Sequence, residues 1–193
     1  MTTRGAFVPA ACLFVYLAAW IGLAIEPRSR ATWALENVLS LAAVITLVAT
    51  HRRFRFSDRA YVEATALLLL HTVGSHYEYS HVPAGDWLRD ALALSRNHYD
   101  RLVHFAFGLL AHRGCAELTR RASPAAWRVV PVAILVAVSA LYEIVEWLVA
   151  VTVDPAAGTA FVGVQGDPWD AQKDMTLAAL GAVAAAIAQR RAE

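Results

Sequence analysis

The stretch Val129–Val153 reads VVPVAILVAVSALYEIVEWLVAVTV, and its only charged residues are Glu143 and Glu146. An α-helix rises about 1.5 Å per residue, so about 20 apolar residues cross a hydrocarbon core of about 30 Å. The stretch is therefore long and apolar enough to form a membrane-spanning helix. The two glutamates are three residues apart, which places them on one face of that helix. Carboxylates inside a span normally face the interior of a bundle or a water-filled cavity.

The composition of the whole chain also indicates a membrane protein. Of its 193 residues, 58% are hydrophobic and 17% are charged, and the mean hydropathy is +0.45. Soluble domains average about 45–50% apolar and about 25% charged residues, which disfavours the alternative of a soluble helical bundle with a very apolar core. The net charge of +1 gives no support to nucleic-acid binding. Two cysteines are too few for a disulfide framework.

Six segments predict a single all-α domain over residues 1–193, a polytopic bundle of about six transmembrane helices. Their approximate bounds are 6–25, 33–50, 60–78, 98–115, 129–152 and 171–189. The fourth and sixth segments have short apolar centres and charged ends. The first could be a signal peptide, but it is long for that role and only Arg4 precedes it, so we expect a retained span.

The basic residues predict how the bundle is oriented in the membrane. The N-terminus, the second and fourth loops and the C-terminus together carry 11 lysine and arginine residues, whereas the other three loops carry 5. Loops rich in lysine and arginine stay in the cytoplasm. We therefore expect both termini in the cytoplasm and the first, third and fifth loops outside.

The ionisable residues of the predicted spans fall at one level, close to the outer surface of the membrane. When they are placed by helical rise, a set of acids and one histidine meets there, and we take these as candidate catalytic residues of an outward-facing polar pocket. The set is Asp100, His104, Glu143, Glu146, Asp170 and Asp174. The same six residues are the candidate ligands if the protein binds a divalent metal. The alternative is that each is a cap, an interfacial group or a member of a structural ion pair.

Four further residues near the same level are candidate substrate-binding residues. Arg101 can hold a phosphate or a carboxylate. His76 and Glu78 reach the outer surface at the end of the third span, and Trp169 lies at the outer interface just before the sixth. The residues before the fourth and sixth spans, Asn97 and Asp167, suit helix N-caps, which is a sufficient structural explanation for them.

Four ordered blocks resemble a known family. They are HTVGSHYEYSHVPAGDW (71–87), RNHYDRLVHFAFG (96–108), YEIVEW (142–147) and VQGDPWDAQKDM (164–175). Together they resemble the YjdF-type predicted inner-membrane proteins of bacteria, whose function is not established. More remotely, the order of acids and histidine is similar to VanZ-like proteins, although Ala178 stands where those proteins have an asparagine. The resemblance implies a multi-pass location in the bacterial inner (plasma) membrane and supplies no reaction.

Three functions fit this reading of the sequence. The pocket could bind, and also hydrolyse or transfer, an amphiphilic or lipid-linked envelope substrate, with His104 or a glutamate as general base. The protein could instead be a proton- or ion-coupled transporter that uses the acids and histidines as relay groups. It could also be a non-catalytic membrane scaffold, in which the acids and Arg101 form structural ion pairs. The sequence leaves open whether the protein is an enzyme.

Overall fold

The computed structural model of the protein describes residues 7–152 and 165–191. Within these two ranges the chain forms helices and no strands, so the all-α prediction is confirmed. The helices are α1 (Phe7–Leu23), α2 (Arg30–Thr50), α3 (Asp58–Tyr77), α4 (Pro83–Ala91), α5 (Tyr99–Ala122), α6 (Val130–Thr152) and α7 (Asp170–Arg191), with a short 3-10 helix at Tyr79–His81.

The six longer helices coincide with the six predicted segments, but some of their ends differ. α2 begins at Arg30 because Ser29 caps it and accepts a hydrogen bond from the Thr32 N–H at 3.2 Å. α5 continues to Ala122, through residues that we predicted as a cytoplasmic loop. By length and hydropathy, α2 and α6 are the two described helices that could cross a membrane, and α1 is apolar but shorter. The count of six spans therefore remains a prediction.

The α6 helix buries one narrow stripe and exposes the rest of its apolar surface. Leu135, Ser139 and Glu146 are buried and share one face of the helix. Leu141 and Val151 are 61% and 60% exposed, respectively. An exposed apolar face of this size marks a surface that meets a membrane or another protein. Contact with lipid is the natural explanation for a helix of this composition.

The α5 and α7 helices cross closely because glycines lie at their contact. A Cβ atom added to Gly108 would overlap the carbonyl oxygen of Ala178, and one added to Gly181 would overlap the carbonyl oxygen of Phe105. Small residues at such a crossing let two helix backbones approach each other in membrane proteins. The crossing fixes the position of α7 against α5, and the first turns of both helices carry predicted site residues.

The α4 helix lies in a segment that we expected to be a loop. Pro83 occupies its first turn and Asp86 follows in the same turn, and both residue types favour a helix start. A Cβ atom on Gly85 would overlap the side-chain amide of Asn97. The short helix is therefore held against the residue that precedes α5. With nine residues it is too short to cross a membrane, so it was not among the predicted spans.

The two ends of the bundle carry different groups of side chains. We call one end the acidic end, where Asp100 of α5 and Asp174 of α7 lie in one cluster. We call the other the basic end, where Arg190 of α7 donates to the carbonyl oxygen of Arg128, just before α6, at 3.5 Å. α5 and α7 thus begin together at the acidic end and run side by side.

Which end faces the cytoplasm remains a prediction that cysteine labelling can test. With Cys12 and Cys115 replaced by serine, a cysteine at position 87 is expected to react with a membrane-impermeant maleimide added to intact spheroplasts. A cysteine at position 190 should react only after the membrane is opened. Trp87 and Arg190 are both exposed, so labelling reports on the side of the membrane rather than on burial. The reverse pattern would contradict the predicted orientation.

Candidate functional site

The segments before α5 and α7 are tied to each other through Asn97. The Gln165 side chain accepts from the Asn97 N–H at 2.9 Å and donates to the Asn97 carbonyl oxygen at 3.0 Å. The fully buried Asn97 side chain donates to Asp86 and to the carbonyl oxygen of Val82, each at 3.0 Å. Its oxygen accepts from the Tyr99 N–H, also at 3.0 Å. The predicted N-cap is wrong by one residue, because His98 is the N-cap of α5 and Asn97 lies just before it. Asn97 instead joins three segments at the acidic end.

A network of five charged residues fixes the two helix starts. Arg96 donates through both terminal nitrogens to the carboxylate of Asp170, and the side chains of this pair are each 4% exposed. Arg101 donates to Asp167 at 2.5 Å and to Asp170 at 3.2 Å. Lys173 donates to Asp167 at 2.6 Å. Asp170 and Arg101 were predicted as a catalytic and a substrate-binding residue, and the structure joins them to each other. Arg96, which we counted only as a loop charge, was missed.

Asp167 is ionised throughout the physiological pH range. The hydrogen bond from Lys173 holds the pKa of Asp167 well below its ordinary value, and the Trp169 N–H and Arg101 lower it further. A carboxylate whose pKa is lowered on folding stabilises the fold above its unfolded pKa of about 3.9. That contribution is lost as the pH falls from there through the lower folded value. Asp167 therefore acts as a permanent counter-ion for Arg101 and Lys173.

The other acidic residues gather around His104, one turn into α5. The Nε2 atom of His104 lies 3.5 Å from Asp100 Oδ1 and 3.5 Å from Glu143 Oε1. Ligand atoms of Asp100, His104 and Asp174 all lie within 4.8 Å of one another. Four of the six predicted catalytic residues are thus brought together from α5, α6 and α7.

Two carboxylate oxygens of this cluster lack hydrogen bonds. Among the described residues, neither Glu143 Oε1 nor Asp174 Oδ1 has a hydrogen-bond partner, and both atoms are buried. Asp174 is only 2% exposed. A buried polar group without a partner costs roughly 1–3 kcal/mol, and more when it is charged. The fold therefore holds two carboxylate oxygens near His104 to which no described group donates a hydrogen bond.

Behind the cluster lies a second layer of polar groups centred on Glu36. Glu36 is 4% exposed and accepts from the Tyr142 hydroxyl at 3.0 Å. His71 Nε2 contacts the Glu36 carbonyl oxygen at 2.9 Å, and His71 Nδ1 contacts the Tyr79 hydroxyl at 2.5 Å. The carbonyl can only accept, so Nε2 carries the proton and Nδ1 accepts from Tyr79. We did not predict Glu36 as a site residue, although it is the only charged residue in the segment 33–50.

The structure does not bring the remaining predicted substrate-binding residues into the cluster. His76 Nδ1 donates to the Leu23 carbonyl oxygen at 2.8 Å, and Glu78 accepts from Arg28 at 3.1 Å. Both side chains therefore join the end of α3 to the connection between α1 and α2. Trp169 is 63% exposed just before α7. A ligand role for these three residues stays a prediction.

An open cleft of about 470 Å³ lies between α6 and the start of α7. Its polar wall includes Glu143 and Asp174 from the cluster and also Glu146, the sixth predicted catalytic residue. Its apolar wall includes Trp147 and Ala150, one turn further along α6. The unsatisfied acids are therefore reached from a cleft that also has an apolar side.

A bundle of long apolar helices that exposes hydrophobic faces and buries its acids at one end is characteristic of a multi-pass membrane protein. The chain belongs to the family described as predicted membrane protein (DUF2238), which matches residues 8–193. It is similar to the inner membrane protein YjdF of Escherichia coli (strain K12), with 36% identity over 168 residues, which covers 84% of this chain and 79% of that protein. No solved structure matches the chain significantly.

The family confirms the predicted YjdF-type resemblance and, with it, the membrane location. The relative's name agrees with the prediction of the bacterial inner membrane. The family description names no reaction, ligand or partner, so the function has to be argued from the site. The more remote similarity to VanZ-like proteins stays a prediction.

Proposed function

We propose that this inner-membrane protein binds an amphiphilic or lipid-linked envelope substrate at its acidic end, with the polar part of the substrate in the cleft between α6 and α7. One observation carries the proposal: the cleft joins unsatisfied carboxylates to the exposed apolar surface of α6. A molecule with one polar and one apolar part matches both walls at once.

The apolar wall of the cleft continues onto a surface suited to lipid. Trp147 lines the cleft and is 60% exposed, and its neighbours Leu148 and Val151 are 45% and 60% exposed. Tryptophan is enriched where proteins cross the membrane interface. An acyl or prenyl chain lying along α6 would keep its contact with the bilayer while the attached head group entered the cleft.

The polar wall favours a head group that donates hydrogen bonds. Glu143, Glu146 and Asp174 offer acceptor oxygens to the cleft. Arg101 already donates to Asp167 and Asp170, so an anionic head group would have to displace one of these carboxylates to reach it. Sugar hydroxyls and ammonium groups fit the carboxylates without that exchange. If the bound substrate is processed, His104 or Glu143 is placed to act as general base.

Two other cavities among the described residues offer poorer matches to such a substrate. A groove of about 270 Å³ among α1, α2 and α3 has no carboxylate among its described lining residues. A cavity of about 430 Å³ at the basic end includes Glu63 and Glu117, but Glu63 is already paired with Arg113 at 2.9 Å and Glu117 accepts from the N–H and the hydroxyl of Ser57. Only the cleft at the acidic end combines free acceptor atoms with an apolar wall among the described cavities.

Retention of native lipids by the detergent-purified protein tests the proposal. After incubation with a total lipid extract of bacterial inner membrane, the wild type is expected to retain a specific lipid-linked component in native mass spectrometry. Trp147→Ala should reduce its affinity roughly tenfold, or about 1.4 kcal/mol, because an aromatic wall is removed. Glu146→Gln should also weaken binding, because a carboxylate acceptor is lost.

Trp87→Ala is the matched control, since Trp87 is 71% exposed and does not line the cleft. Equal retention by Trp147→Ala, Trp87→Ala and the wild type would contradict the proposal. Uptake of a solute into proteoliposomes that is abolished by Glu143→Gln would favour the transporter instead. Variants that lose only thermal stability, with no change in bound lipid, would favour the scaffold.

A further inference from the structure

We propose that Asp100, His104 and Asp174, with Glu143 as a fourth donor, bind one divalent transition-metal ion such as Zn²⁺ or Mn²⁺. The inference concerns the same cleft as the proposed function and deepens it, but the binding of metal is measured without any lipid. One imidazole and several carboxylates form a donor set for a transition ion rather than for Mg²⁺ or Ca²⁺, which favour oxygen ligands alone.

The distances around His104 fit an ion better than they fit hydrogen bonds. A hydrogen bond from the imidazole to a carboxylate would measure about 2.7–3.2 Å. Both measured separations from His104 Nε2, to Asp100 Oδ1 and to Glu143 Oε1, are 3.5 Å. Zinc–nitrogen and zinc–oxygen bonds of about 2.0–2.2 Å separate neighbouring tetrahedral ligands by roughly 3.4 Å. His104 Nε2 is therefore spaced from each of these oxygens as one ligand of an ion is from another. Ligand atoms of Asp100, His104 and Asp174 also lie within 4.8 Å of one another, so these three form the core of the site.

Two of the carboxylates in this cluster carry an oxygen that the protein leaves unsatisfied. Asp174 is 2% exposed, and its Oδ1 atom has no hydrogen-bond partner in the described part of the chain. The same holds for the buried Oε1 atom of Glu143. A divalent cation would accept a bond from each oxygen and offset the repulsion among the three carboxylates, which in their ionised form need a cationic partner when they are buried.

The site has a route by which an ion and a further ligand can reach it. Glu143 and Asp174 both line the 470 Å³ cleft at the acidic end. A tetrahedral ion held by three side chains at the base of an open cleft would keep its fourth position for water or for a substrate oxygen, whereas Glu143 as a fourth ligand would have to leave for a substrate to bind. A bound ion would also let the acidic cleft accept an anionic head group, which the carboxylates alone would repel.

Metal analysis of the whole purified protein gives the first test. Protein stripped with a chelator and then dialysed against Zn²⁺ or Mn²⁺ is expected to retain one ion per chain by mass spectrometry of the metal. Asp174→Asn and His104→Ala should each weaken binding by more than about tenfold, since each removes a ligand. Asp90→Asn and His81→Ala are matched controls outside the cluster and should bind like the wild type, since the Asp90 side chain is exposed and pairs only with Arg89 among the described contacts.

Titration of the wild type with Co²⁺ keeps the inference testable if the variants fail to fold. Visible absorption bands that saturate at one equivalent and are displaced by Zn²⁺ would support a buried histidine–carboxylate site. Absence of these bands from folded wild type, or equal metal content in the wild type and Asp174→Asn, would overturn the inference. Lipid retention by the metal-free protein shows whether the proposed function fails as well. If no metal binds but the lipid is retained, the metal site is refuted and the proposed lipid binding is not.

Discussion

Replacing Arg96 with glutamine is expected to destabilise the folded protein by about 3–5 kcal/mol, because the buried carboxylate of Asp170 would lose its bidentate partner. The two side chains are each 4% exposed, so water cannot take the place of the guanidinium without opening the acidic end. Asp170 would keep one hydrogen bond, from Arg101 at 3.2 Å. Thermal unfolding in detergent, followed by circular dichroism, measures the loss as a lower Tm.

Two further variants separate this effect from the mere loss of a positive charge. Arg89→Gln removes an arginine whose partners Asp86 and Asp90 lie on a largely exposed helix, where solvent screens an ion pair and it contributes little to stability. Adding Asp170→Asn to Arg96→Gln should restore part of the stability, because no unpaired charge is then buried. If Arg96→Gln and Arg89→Gln had equal effects, the pair would not be a stabilising element of the fold.

The pairing of Arg96 with Asp170 also shows where sequence reasoning reached its limit. The two residues are 74 positions apart, and no local pattern links them. Arg96 lies in a connection between helices, where an arginine is ordinarily a solvated charge. Asp170 could be placed at the acidic end because its helix begins there, but its partner depended on how two helix starts meet. A contact of this kind follows from tertiary packing rather than from periodicity.

Elements set by composition and helical rise were easier to predict. The stretch 129–152 was predicted as a span, and α6 runs from Val130 to Thr152. Rise along each helix was enough to bring Asp100, His104, Glu143 and Asp174 to one level, and the structure joins these four. Glu36 reaches the same end but was left out of the site, because its contact with Tyr142 comes from the packing of α2 near α6. The level of each residue along the bundle was predictable from helical rise, whereas the direction in which each side chain points was not.

Gly108→Ala is expected to destabilise the protein by about 1–3 kcal/mol, although the same change normally stabilises a helix. Alanine exceeds glycine in helix propensity by about 1 kcal/mol. At position 108, however, the added methyl group would overlap the Ala178 carbonyl oxygen on α7. Backbone cannot move aside as a flexible side chain can, so the two helices must separate, and forced overpacking costs about 1–3 kcal/mol.

The separation of α5 and α7 in Gly108→Ala should also alter the acidic cluster, which lies one helical turn away. His104 precedes Gly108 by four residues on α5, and Asp174 precedes Ala178 by four residues on α7. A shift at the crossing therefore changes the distance between His104 and Asp174, and we expect Gly108→Ala to weaken metal binding as well as to lower the Tm. Gly22→Ala is the matched control, since a Cβ atom there would meet nothing within 4 Å. It should leave metal binding unchanged and the Tm equal or slightly higher. If the two alanine variants were equally stable, α5 and α7 would not cross as closely as the structure has them. The distance between His104 and Asp174 would then not be set by the glycine crossing.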